Sequence, residues 1–346
     1  MMIAATLPNA EYAMTAPIAR RTLLGAAGAT VTLAYAGRSR AQTAKPVSFQ
    51  LSWIKSIQYG GFFAAVENGY FKDAGIDPTF VSGGPTMDPV GNVAAGRSLL
   101  GDRPSGALLV ARDKGVPIKV IAQTFQKSPY SILSLASKPI DSVKDLVGKT
   151  IATPTSGRAL IVGLIQSAGI DPASVNLVPA SPDPAGLVAG QMDGYVGYST
   201  NQGVMLQTRG VDIHVFNAQD HGLPDATGVI YGVPETLDAN RPLVVAFLRA
   251  AVKGWQWALA HPDETSKLMV EKYGAPGLNL KAQTAEIVAS KPYIEAGLGS
   301  TQGLLSLDVP LFASMIETYR KVGMIEGSWT ADSFCDPSFI QAAHAA

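Results

Sequence analysis

The chain has 346 residues, of which 47% are hydrophobic and 16% charged, which suits two separately cored lobes and excludes a disordered chain. Its 27 basic and 27 acidic side chains cancel and no basic run stands out, so nucleic acid is not an expected partner. Cys335 is the one cysteine; it permits no intramolecular disulfide and no cysteine-rich metal site, and reads as a small buried residue or an exposed bystander.

The first residues differ in kind from the rest. Arg20-Arg21-Thr22-Leu23-Leu24 precedes a small apolar run, Gly25 to Ala36, and then Ser39-Arg40-Ala41. A charged stretch, a weakly hydrophobic stretch and a small-residue cleavage site make an export signal over residues 1–41, cut near Ala41. The paired arginines resemble a twin-arginine signal, general secretion being the other route. A membrane anchor or a fortuitous extension is the alternative. The run is too short to span a bilayer, and no cysteine at the cut offers a lipid anchor. No later stretch is expected to reach the length of a transmembrane helix.

Val47 to Trp53 has the β-branched and aromatic character of a strand. Lys55 to Gly61 breaks into polar residues and glycines. Phe62, Ala65, Val66, Tyr70 and Phe71 recur at helical spacing, and Asp77 to Ser82 is extended before Gly83-Gly84-Pro85. Strand, helix and strand of this length form a βαβ crossover with parallel strands. Ligands of such sheets gather at the carboxyl ends of strands. Those ends carry Trp53, Gln58 and Tyr59 in one loop and Gly83 and Gly84 in the other, a rim suited to a small planar molecule.

The chain segment W-x(5)-Y-G-G-F-F-A-A-x-E-x-G-Y-F-K-x-x-G-I, from Trp53 to Ile76, resembles the opening of ABC-transporter substrate-binding proteins. The resemblance is to the branch related to thiamine-pyrimidine synthesis and uptake, with taurine, alkanesulfonate and nitrate binders as neighbours. The resemblance runs from about residue 47 to about residue 330. It implies an α/β, type II periplasmic-binding-protein fold, with a small-molecule ligand held between two lobes and an ABC permease as partner of a monomeric protein. No cofactor is implied.

Further along, a helix is expected over 86–96, a strand over 98–101 and a helix from Pro104 to about Lys114, followed by a strand over 116–125. Tyr130 to Ala136 carries the chain into a second lobe, residues 130–225. There a short helix (141–146), a strand (149–153), a helix (158–168), a strand (175–178), a helix (184–189), a strand (194–198), a helix (204–209) and a strand (212–216) repeat the alternation of an α/β layer. Near Asp225 to Tyr231 the chain returns to the first lobe, residues 46–129 and 226–346. Helices over 243–260, 263–273, 281–289 and 311–322 are expected to pad that lobe.

Residue patterns for catalysis are weak. Gly148-Lys149-Thr150 precedes its strand and lacks the earlier glycine of a phosphate loop. His214, His221, His261 and His344 have no metal spacing, and no G-x-S-x-G elbow occurs. Asp220 and His221 are adjacent, so in an extended segment they point apart; His221 is instead a ligand or lobe-interface candidate. The expected site therefore has no catalytic and no metal-binding residue.

The expected ligand residues are Trp53, to stack on a flat ring; Gln58, Tyr59 and Gly84; Asp102, Ser105 and Phe125; Thr155 and Ser156, where helix capping is the competing role; and Tyr198, Asn201, Gln202 and His221. In the resemblance the loop at Thr200-Asn201-Gln202-Gly203 usually reads T-N-E-P. Gln202 can accept through its amide oxygen but adds two donors, which opens the way from an aminopyrimidine to a flavin, another heterocycle or a carboxylated aromatic. Arg103 and Arg158 read as surface ion pairs by default; facing a cleft, either would favour a carboxylate, sulfonate or phosphate. The expected function is an exported solute-binding protein for an aromatic heterocycle. Alkanesulfonate or aromatic carboxylate binding, a thiamine-pyrimidine synthesis enzyme and a periplasmic sensor subunit are the alternatives.

Overall fold

The computed structural model describes residues 44–345; the expected signal peptide lies outside them. Two five-stranded sheets organise the described residues. The first contains β1 (Lys45–Gln50), β2 (Ile76–Val81), β3 (Leu100–Arg103), β4 (Lys119–Phe125) and β10 (Thr227–Gly232), in the order β2-β1-β3-β10-β4. The second contains β5 (Tyr130–Leu135), β6 (Thr150–Thr153), β7 (Asn176–Pro179), β8 (Gly194–Tyr198) and β9 (Ile213–Asn217), in the order β7-β6-β8-β5-β9.

The two orders are the same pattern. In each sheet four strands run in one direction, and the fourth place in the order is held by a strand antiparallel to both neighbours, β10 in the first and β5 in the second. Each of these strands begins just after the chain has crossed between sheets. The expected α/β alternation is present, but the sheets are mixed, because a crossing strand enters against the direction of the others.

The ends of the elements differ from expectation for local reasons. β1 stops at Gln50 rather than Trp53: Leu51 N–H still bonds the Val81 carbonyl of β2, but then the donors leave the ladder, Ser52 N–H for the Asp102 carboxylate at 2.7 Å and Trp53 N–H for the Tyr59 hydroxyl at 3.0 Å. β3 runs two residues past the expected end, since Ile230 and Val229 of β10 pair with Asp102 and Arg103. The expected long helix after Tyr59 is broken into Gly60–Glu67 and Tyr70–Asp73 by Gly69 at φ +74, a left-handed conformation that glycine adopts without steric cost.

In the first lobe Phe49 packs on Phe62, Phe80 and Phe247 with ring centroids 5.1, 5.8 and 5.6 Å apart. Phe247 belongs to the Arg241–Ala260 helix, which crosses Gly60–Glu67 very closely. A Cβ on Gly61 would stand 2.2 Å from the Trp255 ring, and one on Gly254 would stand 2.1 Å from the Gly61 carbonyl, so only glycines permit the crossing. That helix, 20 residues with a hydropathy of 1.2, is long and apolar enough to cross a membrane by length and composition, contrary to expectation. Its Val244, Phe247, Ala251, Trp255 and Ala258 are buried in the protein. The Leu280–Ile294 helix also departs from expectation: it bonds the first lobe through Gln283 and the second through Glu286. Cys335 is buried and unpaired, and burial pushes its thiol up to about 12.

Candidate functional site: the cleft between the sheets

Asp102, the penultimate residue of β3, organises the loop after β1. Its carboxylate accepts from Ser52 N–H (2.7 Å), Ser52 Oγ (3.2 Å) and Tyr59 Oη (3.2 Å). The Tyr59 hydroxyl in turn accepts from Trp53 N–H (3.0 Å) and Gln58 Nε2 (3.2 Å). Burial raises Asp102 to about 6, against the pull of these donors. Burial, and then the Asp102 charge, hold the Tyr59 phenol far above its ordinary value, so it stays protonated. The network fixes the loop with Trp53 and Gln58 facing the second sheet. Gly83 supports it from the side: its N–H donates to the Trp53 carbonyl at 2.9 Å, and a Cβ there would lie 2.3 Å from the Leu51 carbonyl oxygen.

The second sheet supplies the opposite wall. Tyr130 opens β5, Tyr195 and Tyr198 lie on β8, and Ser156 and Gln202 follow the ends of β6 and β8. Tyr130 and Tyr198 meet edge to face at 5.1 Å, a favoured aromatic geometry. Tyr130 Oη and Ser156 Oγ are 3.3 Å apart, Gln202 Oε1 accepts from Tyr198 N–H at 3.0 Å, and Tyr195 Oη donates to the Ser181 carbonyl at 2.6 Å. Burial raises the phenols of Tyr130, Tyr195 and Tyr198, so all three are neutral in ordinary buffers. A Cβ on Gly197 would stand 2.6 Å from Gln202 Oε1, and one on Gly157 would stand 2.5 Å from Tyr130 Oη; both glycines keep the wall clear.

Ser52, Trp53, Gln58, Tyr130, Ser156, Tyr195, Tyr198 and Gln202 line one cavity of about 20 Å³, together with Pro104 and Pro154. That is room for about one water molecule, so a ring enters only when the lobes part. Pro85 and Thr155 join the lobes beside it: Thr155 N–H donates to the Pro85 carbonyl at 2.8 Å. Where the chain crosses between lobes, Asp225 accepts from Ser105 Oγ (3.1 Å) and Ser128 Oγ (2.6 Å), while Ala226 N–H donates to Ser105 Oγ (3.0 Å). Burial lifts Asp225 to about 6.

Of the residues expected to touch ligand, Trp53, Gln58, Ser156, Tyr198 and Gln202 line this cavity. The others lie elsewhere. Tyr59 and Asp102 are buried behind the Trp53 loop, and Ser105 is held by the crossing at Asp225. Phe125 is buried edge-on to Tyr198 at 5.6 Å. Asn201 Nδ2 donates to Glu286 at 2.6 Å, Thr155 lines a different cavity, and His221 stacks on Phe216 at 3.8 Å. Gly84 has nothing within 4 Å of its would-be Cβ; its neighbour Gly83 makes the contact. Ser52, Tyr130 and Tyr195 were not expected. Tyr130 and Tyr195 sit in expected strands, and only the facing of two sheets gives them a cleft to line.

The lining offers aromatic faces and neutral hydrogen-bonding groups from both lobes, at strand tips. Such a surface can hold a flat, uncharged heterocycle by stacking and edge hydrogen bonds. The model of a family described as "NMT1/THI5 like" matches residues 56–265, more than half the chain. The protein belongs to the NMT1/THI5-like family. It is 28% identical over 229 residues to the formylaminopyrimidine-binding protein of Halalkalibacterium halodurans, covering 65% of this chain and 69% of that one. It is 28% identical over 298 residues to the riboflavin-binding protein RibY of Chloroflexus aurantiacus, covering 82% of each. A more distant relative is an enzyme, the 4-amino-5-hydroxymethyl-2-methylpyrimidine phosphate synthase of Legionella pneumophila, 24% identical over 65% of this chain and 73% of that one. The fold is that of the alkanesulfonate-binding protein SsuA of Xanthomonas axonopodis, with a TM-score of 0.64 and 14% identity, covering 84% of this chain and 98% of that one. Within this NMT1/THI5-like chain, two mixed α/β lobes thus meet as in a periplasmic binding protein.

Proposed function

We propose that this protein is the exported solute-binding component of an ABC importer and that it closes on a small aromatic heterocycle of the aminopyrimidine type. The observation that carries the reading is the cleft itself: Trp53 and Gln58 at one set of strand tips face Tyr130, Tyr195, Tyr198 and Gln202 at the other. Neutral phenols, a serine hydroxyl and amides can satisfy a ring's donors and acceptors, whereas no lining residue pairs a nucleophile with a base. Ligand-binding relatives in the family support the assignment. The paired arginines at 20 and 21 support export, and a permease would then receive the loaded, closed form. Closure follows from ligand contacts that only the closed form makes.

A thermal-shift screen of the purified protein against an aminopyrimidine, riboflavin, an alkanesulfonate and an aromatic carboxylate tests this. A ligand at about 100 times its Kd adds roughly 2.7 kcal/mol. The aminopyrimidine is expected to give the largest shift and to be recovered unchanged. A larger shift with riboflavin would move the ligand to flavins; no shift with any ring, or conversion of the pyrimidine, would overturn the reading.

A further inference from the structure

A second and larger cavity, about 570 Å³, adjoins the aromatic cleft: Arg103 and Thr155 of its wall are next in sequence to Pro104, Pro154 and Ser156 of the first. The Pro89–Ala94 and Ser105–Asp113 helices of the first lobe contribute to its wall, and the Arg158–Ser167 helix of the second lobe contributes too. Val90, Val110, Val162 and Met324 make much of that wall apolar. Its size falls within the roughly 300–1,000 Å³ usual for small-molecule sites.

Arg103 gives the cavity its chemistry. Successive strand residues face opposite sides of a sheet, so Asp102 serves the Trp53 loop while Arg103 lines this cavity. Its side chain is 4% exposed, and its nearest carboxylate, Asp88, is 64% exposed and stands 3.7 Å from Nη2, beyond hydrogen-bond reach. The Arg103 Nε and Nη1 atoms are buried without a partner among the described residues. A buried guanidinium with open donors is costly, and its planar fork matches the two oxygens of an acid group. Arg158 and Lys114 line the same cavity, so three cations face the single carboxylate of Asp88.

We propose that this cavity is a second ligand site, for an amphiphilic anion: a carboxylate, sulfonate or phosphate headgroup held by Arg103 and Arg158, with an apolar chain along Val90, Val110, Val162 and Met324. Because its walls come from both lobes, the bound anion bridges them. This assignment does not rest on which ligand the aromatic cleft holds.

Calorimetric titration of the full protein with octanoate and octanesulfonate tests the proposal, with sodium sulfate as the headgroup alone and 1-octanol as the chain alone. Both amphiphiles are expected to bind saturably at one site, and sulfate and octanol much more weakly. Arg103→Met, which keeps the apolar stem, is expected to weaken binding by about ten- to hundredfold, the scale of a charged hydrogen bond. Arg158→Gln, at an exposed position, is expected to weaken it too and serves should Arg103→Met not fold. Trp53→Ala is expected to leave amphiphile binding intact. Sulfate binding as tightly as octanesulfonate would mean an adventitious ion only and would overturn the proposal, as would unchanged affinity in the arginine variants or no binding by either amphiphile. Binding lost in Trp53→Ala but kept in both arginine variants would also overturn it, by moving the anion into the aromatic cleft and changing the ligand class assigned there.

Discussion

Asn201 Nδ2 donates to Glu286 Oε1 across 2.6 Å, joining the turn after β8 to the Leu280–Ile294 helix. One turn away on that helix, Gln283 Nε2 donates to the other Glu286 oxygen at 3.2 Å, and Gln283 Oε1 accepts from Ile57 N–H at 2.8 Å. A single helix therefore grips the Trp53 loop of one lobe and the Gln202 turn of the other.

This arrangement sets a pH dependence. Burial raises Glu286 from 4.5 to about 8, although the two amide donors pull the other way. Between those values the folded protein holds a proton that the unfolded chain has released, so stability falls as pH rises through that window. The slope is at most about 1.4 kcal/mol per pH unit. Asp102 and Asp225, raised to about 6, act in the same sense at lower pH, so the interval from about pH 6.5 to 8 isolates Glu286. Glu286→Gln is expected to melt higher than the parent at about pH 8 and to flatten the slope there. A variant melting no higher, with the slope kept, would show that Glu286 ionises freely in the fold.

Trp53 gives the sharpest test of the cleft. Trp53→Ala is expected to weaken aminopyrimidine binding by about 2 kcal/mol or more, the scale of a central aromatic anchor. The side chain is 7% exposed, so the variant also melts lower, yet cooperatively, because Asp102, Ser52 and Tyr59 still hold the loop. Parent-like affinity in calorimetry would remove Trp53 from the site.

Two adjacent glycines make a matched pair. Gly83→Ala places a methyl 2.3 Å from the Leu51 carbonyl oxygen, whereas Gly84→Ala meets nothing within 4 Å. The first is expected to cost about 1–3 kcal/mol of stability as an overpacked contact and to weaken ligand binding by displacing the Trp53 loop. The second stays within about 0.5 kcal/mol of the parent. Denaturant melts of both proteins check this, and equal stabilities would refute the close approach.

The two proposed sites are expected to couple. Each takes wall residues from both lobes, so a ligand in either favours the closed arrangement and thereby the other. Measured as the aminopyrimidine Kd with and without saturating octanesulfonate, the tightening is expected to be about fivefold or more, with the reciprocal effect of equal size. Unchanged Kd values would mean that the second cavity does not discriminate open from closed.

Much of the layered fold was legible in the sequence because strands and helices announce themselves by local periodicity. The strand tips bearing Trp53, Gln58, Tyr198 and Gln202 could be located in the same way. What was not legible depends on partners far along the chain. β3 carries Asp102 and Arg103 in register only because β10, more than a hundred residues later, pairs with them. Asn201 reads as a ligand contact until Glu286, 85 residues on, takes its amide. Arg103 reads as a surface ion pair until helices from both lobes enclose it, and Tyr130 reads only as the start of a strand until the second sheet faces the first.

The bond from Thr155 to Pro85 is made wholly of main chain. This latch between the two jaws is thus blind to side-chain identity, and residues around the mouth can be exchanged for a new cargo while it survives. Of the twenty ordinary residues, proline alone lacks the N–H it needs at position 155, so that one replacement would undo this latch and leave the Leu280–Ile294 helix to tie the jaws.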